Sequence, residues 1–476
     1  MISAAAMEIL AILLCLLAGI MVFLRSYTTW RDRGPATIIV TDPAVAHRAL
    51  IVNADDFSNR PVAIFPVFIA RLRDGERNDN MTTVKYGPRW RALRCNLAAG
   101  ILHPSRLASV APLQQEAAKT LVDGLSSRCE EAAVRIRGPV TTAAFALSAR
   151  LCFGDAVDAN LRRAMGQVTR DSMVLIGELG PRFDGSMMSK LVNGRGLNRI
   201  SALLDRQAEL YRPQIAEARR QSQSSHPRLC GGVVPPYVDS LVALRVPDDD
   251  GDDDTTNGDG RRALRETEVV GLLFEFLGAG TGSVVACVEW TLAHLVDQPD
   301  VQSKLRREII KAEGSGKSLR SMPYLNAVVL ESLRMHPPVP FTLRGAQGEG
   351  AKAVGVSADD LRVFFNLGHI GRDKKTWTDP DEYRPERFLP LGEAEHVGPT
   401  PGQKEIRMMP FGAGHRHCPG VGMGMMLIKC FLAALVREFE WAPSAQGRSG
   451  GIDMTELDGF LKMMKTPLSA SVTRRR

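Results

Sequence analysis

None of the eight cysteines of this chain falls in a Cys-x-x-Cys pair, so neither a zinc site nor a disulfide framework is indicated. Scattered thiols of this kind suit a reducing compartment. No Gly-x-Gly-x-x-Gly loop follows a strand, so any nicotinamide cofactor must act from outside the chain. Aromatic residues make up only 6% of the composition, and no basic stretch is interleaved with them, which excludes a nucleic-acid surface. The net charge of +7 is mild, and six aspartates concentrated in Asp248–Asp250 and Asp252–Asp254 leave the rest of the surface more basic. Such a surface suits an acidic protein partner or anionic lipid. The Asp248–Asp254 run reads as a self-repelling, solvated loop. The N-terminal apolar run, Met7 to Leu24, carries only Glu8 as a charge. It is long enough to span a membrane. Arg25, Arg31 and Arg33 follow it rather than precede it, so it reads as an uncleaved anchor with the bulk of the chain on the cytoplasmic side.

What is present, in a chain 44% apolar and 24% charged, is a globular composition with one distinctive stretch near its end. Phe411-Gly412-Ala413-Gly414-His415-Arg416-His417-Cys418-Pro419-Gly420 places a cysteine in a glycine-rich turn just before a helical run from Val421 to Val436. A thiol at a helix N-terminus meets the positive end of the dipole and unpaired N–H groups, which favour the thiolate that binds metal. Gly412, Gly414 and Gly420 allow a flat ligand to approach the backbone. Arg416 adds a cation for an anionic group on that ligand. A buried cysteine in a plain loop is the alternative, and the density of fixed positions argues against it.

The stretch resembles the haem-binding signature Phe-x-x-Gly-x-Arg-x-Cys-x-Gly of the cytochromes P-450. The resemblance runs from about Asp42 onward and is nearest to the plant microsomal type. It implies a mainly α fold with a small β region, preceded by an N-terminal transmembrane helix at residues 1–24, with residues 25–476 forming the catalytic domain. Cys418 becomes the axial iron ligand of haem b (iron protoporphyrin IX). Trp90 and Arg94, at i and i+4 of a helix opened by Gly87-Pro88, become propionate ligands beside Arg416. An amphipathic helix with a surface arginine is their alternative. Glu331 and Arg334 of Glu331-Ser332-Leu333-Arg334, with Arg387 of Pro385-Glu386-Arg387-Phe388, become a buried network that fixes the pocket. Arg344 is a weaker propionate candidate, because the usual basic position falls on Gly345.

A helix from Glu268 to Val296 carries Gly278, Gly280 and Gly282, each costing about 1 kcal/mol relative to alanine. The resemblance explains them by a distorted groove for dioxygen. It puts Gly282 where an acid belongs and Ser283 where a threonine belongs, with Thr281 beside them as the catalytic positions. A helix from Ser321 to His336 is expected to stop at Pro337-Pro338. Ile38–Val40 reads as a short strand, and Asp42-Pro43 as a helix cap and first position. Phe57-Ser58-Asn59-Arg60-Pro61 resembles the entry to a substrate-lining loop. Gly459-Phe460-Leu461 resembles a turn that enters the pocket. The implied activity is insertion of one oxygen atom of O2 into a lipophilic small molecule. Electrons would come from NADPH through cytochrome P-450 reductase, with cytochrome b5 as a further donor, at the endoplasmic reticulum membrane. Two alternatives stand beside it. A haem-thiolate isomerase or dehydratase acting on a pre-oxidised substrate needs no acid at 282. A truncated, non-catalytic relative would fit the short stretch between Arg25 and Ile38.

Overall fold

The computed structural model describes residues 37–61, 80–129, 133–180, 187–222, 229–230, 234–247, 260–315, 318–346, 352, 354, 361–444 and 451–475. The expected anchor at residues 1–24 and the Asp248–Asp254 run lie outside them. Thirteen α-helices and eight short strands make up the described residues, a mostly helical architecture as the sequence leads one to expect.

The organising element is a central helix, Glu266–Asp297. Its 32 residues span about 48 Å at 1.5 Å each. It starts two residues before the expected Glu268 and ends one after Val296. Glu268 at its third position accepts the Arg265 N–H at 2.7 Å, a capping contact that fixes the start. Its apolar residues are buried nearly all round, among them Val285, Val288, Trp290, Leu292 and Leu295. A helix apolar on every side belongs inside a protein core or a membrane. This one is packed by helices Arg137–Phe153, Ala159–Leu179 and Gly194–Gln221, by Pro323–Met335 and by Val421–Glu438. It is the one described helix long and apolar enough to cross a membrane, and it lies in the core.

The sheets are small. Strands β1 (Thr37–Val40), β5 (Phe341–Ala346) and β6 (Leu361–Asn366) form one sheet, with β1 parallel to β6 and β5 antiparallel to it. A second joins β2 (Val134–Arg135), β8 (Ser469–Arg474) and β7 (Phe439–Pro443), and β3 (Arg245–Pro247) pairs with β4 (Arg261–Ala263). Asp42 caps the helix Pro43–His47 by accepting from the Ala44 and Val45 N–H groups at 2.8 and 3.1 Å. The helix expected over Ser321–His336 runs over Pro323–Met335.

The central helix runs as α-helix through Gly278, Gly280 and Gly282. Its glycines are packing notches. A Cβ at Gly278 would lie 2.9 Å from Met173 Cε, at Gly280 3.2 Å from Ser148 Oγ, and at Gly282 2.4 Å from Leu461 Cδ1. Side chains from three other elements thus lie close to the helix at alternate positions.

The predicted charge network assembles around the helix Pro323–Met335. Glu331 accepts from Arg334 at 2.6 and 2.8 Å, from Arg387 Nε at 3.2 Å and from the Arg384 N–H at 2.8 Å. Arg334 also donates to the Gly371 and Pro380 carbonyls. Glu331, Arg334 and Arg387 are all buried, so the cluster survives only because its donors and acceptors are satisfied. Removing Glu331 as Glu331→Leu should leave the buried Arg334 without a carboxylate, while Arg387 keeps Glu393, and cost roughly 3–5 kcal/mol, measured by thermal or denaturant unfolding.

A second buried cluster lies at the far end of the central helix. His294 and His336 meet Nε2 to Nε2 at 3.1 Å, His336 stacks on Trp290 at 3.8 Å, and His294 stacks on Tyr383 at 4.1 Å. Burial holds both imidazoles below their ordinary value of 6.5, while Glu456 at 3.1 Å partly opposes this at His336. The unfolded chain binds protons that the fold refuses. Stability contributed above pH 6.5 is therefore lost as the pH falls below it. A titration of the unfolding midpoint from pH 7.5 down should show that slope, and His294→Gln should flatten it.

Candidate haem site

The cysteine loop is built from its own backbone and from distant arginines. The Gly412 N–H donates to the Met409 carbonyl and the Cys418 N–H to the Phe411 carbonyl, each at 2.8 Å. Gly412 and Gly414 sit at φ +72° and +71°, the left-handed region that disfavours side chains. At Gly414 a Cβ would also meet the Leu50 carbonyl oxygen at 2.5 Å. The helix Val421–Glu438 begins directly after Gly420, whose N–H faces the Cys418 sulfur. Burial pushes the Cys418 thiol up, and the Gly420 N–H and the Arg94 and Arg60 cations pull it back. A cationic metal would complete that compensation by replacing the thiol proton.

Trp90 and Arg94 lie on the helix Pro88–Leu97, which faces this loop. Arg94 donates to the His417 carbonyl at 2.7 Å and lies over the Trp90 ring. Arg416 donates to the Val84 and Met81 carbonyls at 2.6 and 3.1 Å, and to that of Ser58. Each of its three nitrogens thus ties a distant segment to the loop, a role the sequence did not announce. Arg344 is buried on β5 and donates to the Ala413 carbonyl at 3.3 Å and to Thr342 Oγ1 at 2.8 Å.

Sequence reasoning missed Arg60 as a site residue, although it lies in the Phe57–Pro61 stretch singled out there. Arg60 is within electrostatic reach of Cys418, Arg94, Arg344, Arg416 and Glu275. Burial comes first in pushing Arg60, Arg94, Arg344 and Arg416 down, and neighbouring arginines push Arg60, Arg344 and Arg416 further. Guanidinium groups stay protonated in proteins, so these are buried cations. Glu275, Cys418, Cys95 and Tyr86 each oppose the pressure on one or another of them. Buried cations with so little carboxylate beside them favour a negatively charged ligand.

A second missed group supports the helix that carries Trp90. Glu268 is buried at the start of the central helix and takes two N–H groups of Arg262 at 2.9 Å each, and a third from Arg89. This Arg89–Glu268–Arg262 cluster anchors the residue next to Trp90 to the central helix. The pairing joins residues nearly two hundred positions apart, and no local motif signals it.

The central helix is tied to this site through Glu275. Between Glu268 and Val296 every residue is buried except Glu275, Phe276, Ala279, Gly280, Gly282 and Ser283. These lie four and seven apart, on one helical face. Glu275 accepts the Met81 N–H at 3.0 Å and bonds the Thr82 hydroxyl. The turn at 80–84 therefore ties this open face to Arg416 and the cysteine loop. Thr281 and Ser283 donate to their own helix, to the Leu277 carbonyl at 2.8 Å and the Ala279 carbonyl at 2.7 Å. Thr281 is buried while Ser283 lies on the open face.

The residues present fit a flat dianion with a central metal. The Trp90 Nε1 is buried with no hydrogen-bond partner among the described residues, beside cations short of negative charge. A carboxylate satisfies both at once. Cys418 offers a sulfur for the metal.

The cytochrome P450 family model matches residues 24–470. The chain belongs to the cytochrome P450 family. Cytochrome P450 89A9 of Arabidopsis thaliana is 31% identical, over 92% of this chain and 84% of the relative. A flavonoid 3'-monooxygenase, CYP75B137 of Crocosmia x crocosmiiflora, is 27% identical over 90% and 82%. A zebrafish cytochrome P450 solved with progesterone superposes with a TM-score of 0.71 over 92% of this chain and 94% of that one, at 20% identity. Family membership makes the chain a P450-type monooxygenase, an oxidoreductase with haem b as its prosthetic group, and members of the family generally receive electrons from NADPH through a reductase.

Two variants test the propionate cradle. Trp90→Phe removes the unpartnered N–H and keeps the ring, and should weaken haem retention by about 1 kcal/mol, roughly fivefold. Arg60→Leu removes a buried cation and should weaken it by about 2 kcal/mol or more. Both are read by haem transfer to apomyoglobin.

Proposed function

We propose that this chain is a haem-thiolate monooxygenase of the plant microsomal type that acts on a lipophilic small molecule. The observation that carries the reading is Cys418 in a turn shaped by Gly412 and Gly414, with its sulfur facing the Gly420 N–H and the Arg94 and Arg60 cations. In this reading Cys418 is the iron ligand. Phe411, Gly412, Gly414 and Gly420 shape the loop. Trp90, Arg94 and Arg60 receive the propionates, with Arg416 and Arg344 as the surrounding positive charge. Bound haem supplies the activation of O2. The chain's own residues position and shield. Ala279, Gly280 and Ser283 line the oxygen side without bulk, and the Ser283 hydroxyl keeps lone pairs to accept a proton-bearing water.

Residues 1–24 serve as a single-pass anchor in the endoplasmic reticulum membrane, and residues 25–476 form the cytoplasmic catalytic domain. The redox partner is NADPH–cytochrome P450 reductase, with cytochrome b5 as a second donor. The reading includes no nucleic acid partner.

A second reading draws support from one position. Gly282 carries no acid, and Leu461 occupies the space beside it. A site without that carboxylate suits rearrangement or dehydration of a substrate that arrives already oxidised. A reductase-dependence assay separates the two. In microsomes containing this chain, product formation from a library of lipophilic plant metabolites should require NADPH and reductase. Turnover of a fatty-acid hydroperoxide without either would establish the second reading and overturn the first. No turnover in either assay would point to a non-catalytic relative.

A further inference from the structure

The cysteine loop holds two histidines that its signature leaves unassigned, His415 and His417. Each ties the loop to a different segment. His415 stacks on Tyr86 with ring centroids 4.9 Å apart and meets Asp55 through Nε2 at 2.9 Å. His417 turns to the helix Pro88–Leu97, where Arg94 donates to its carbonyl at 2.7 Å and meets its ring Nε2 at 3.2 Å. The direction of the second bond follows from the other ring nitrogen. Nδ1 lies 3.0 Å from the Gly414 carbonyl oxygen, which can only accept, so Nδ1 carries the proton. Nε2 is then a bare lone pair, the partner that a guanidinium N–H requires. The backbone repeats the grip on the turn, with the His417 N–H on the same Gly414 carbonyl at 3.1 Å. The imidazole is thus fixed at one nitrogen by the loop and at the other by Arg94.

Both hydrogen bonds that Arg94 makes among the described residues go to His417. They use two of the five guanidinium N–H groups and leave three for a carboxylate. Ordering a long arginine side chain on binding costs entropy. Two bonds from two terminal nitrogens to one residue fix the plane of the guanidinium as well as its place. Cys418 follows His417 directly, so the residue that grips the cation also adjoins the sulfur. Arg94 and Cys418 act on each other, the cation drawing the thiol down and the sulfur holding the guanidinium up.

We propose that His417 is a positioning residue, aiming Arg94 through its Nε2 lone pair so that one cation serves a haem propionate and the cysteine sulfur together. The inference rests on the haem reading for the identity of the ligand. His417 acts through Arg94 and touches no reacting atom. Any residue at this position supplies the carbonyl, and the imidazole adds the second acceptor. With an aliphatic side chain there, Arg94 would keep one bond and could turn about it.

A double-mutant cycle in the haem-loaded full chain, read by haem transfer to apomyoglobin, tests the pair. His417→Leu keeps the carbonyl and removes the lone pair. It should speed haem transfer about fivefold, the scale of one hydrogen bond. In an Arg94→Leu background the same change should have no effect, because the group it aims is gone. His417→Gln sets an amide oxygen near the place of Nε2 and should restore the wild-type rate. An unchanged rate in His417→Leu, or equal and additive losses in both backgrounds, would overturn the proposal. The reduction potential of the haem iron gives a second readout. A fixed cation near the sulfur favours the reduced site, which carries one more electron. His417→Leu should therefore shift the potential to more negative values, with no further shift in the Arg94→Leu background. A potential that stays in place in His417→Leu would contradict the proposal. His417 is exposed, so the substitutions spare the core. Should His417→Leu nevertheless fail to fold, His417→Ser, too short to reach Arg94, takes its place. A wild-type chain that takes up no haem would sink the haem reading and this inference together. Haem uptake without coupling in the cycle would sink this inference alone.

Discussion

The structure depends on the containment of positive charge around one sulfur. Arg60, Arg94, Arg344 and Arg416 come from four separate segments and act on one another, and Arg60 and Arg94 act on Cys418. Like charges in a low-dielectric interior repel strongly, so such a cluster persists only with compensating anions. Glu275 and the cysteine provide part of that compensation. Carbonyl oxygens of Ser58, Met81, Val84, Ala413 and His417 provide more. The remainder is a standing attraction for a negatively charged ligand, and the buried, unpartnered indole N–H of Trp90 points to where it is used.

The rest of the fold holds this cluster in place. The Glu331–Arg334–Arg387 network fixes the segment leading to the cysteine loop. Trp377 sits between Arg334 and Arg407 at 5.1 and 4.6 Å and donates to the Arg407 carbonyl at 3.2 Å. From Arg407 it is a short run to Met409, whose carbonyl holds Gly412. The Arg89–Glu268–Arg262 cluster does the same for the helix of Trp90 and Arg94. Both are fully buried charge groups centred on a glutamate, and both sit where an error of register would displace a ligand of the site.

Much of the site was legible in sequence because its parts are local. The cysteine loop is ten contiguous residues, Trp90 and Arg94 are one helical turn apart, and Glu331 and Arg334 share a face. What escaped reading is non-local. Arg60 with Glu275, Arg89 with Glu268, and Leu461 with Gly282 are pairs that only the folded chain brings together. The three glycines of the central helix show the limit best. Their number is visible in the sequence, but the neighbours that face them, Met173, Ser148 and Leu461, come from three distant segments.

The most direct test of the central claim is the difference spectrum of the dithionite-reduced protein with carbon monoxide, compared between the wild-type chain and Cys418→Ser. The account predicts the strongly red-shifted Soret band of a thiolate-ligated haem in the wild type and its loss in the variant. A wild type that binds haem but lacks that band, or a variant that keeps it, would contradict the assignment of Cys418 as the iron ligand.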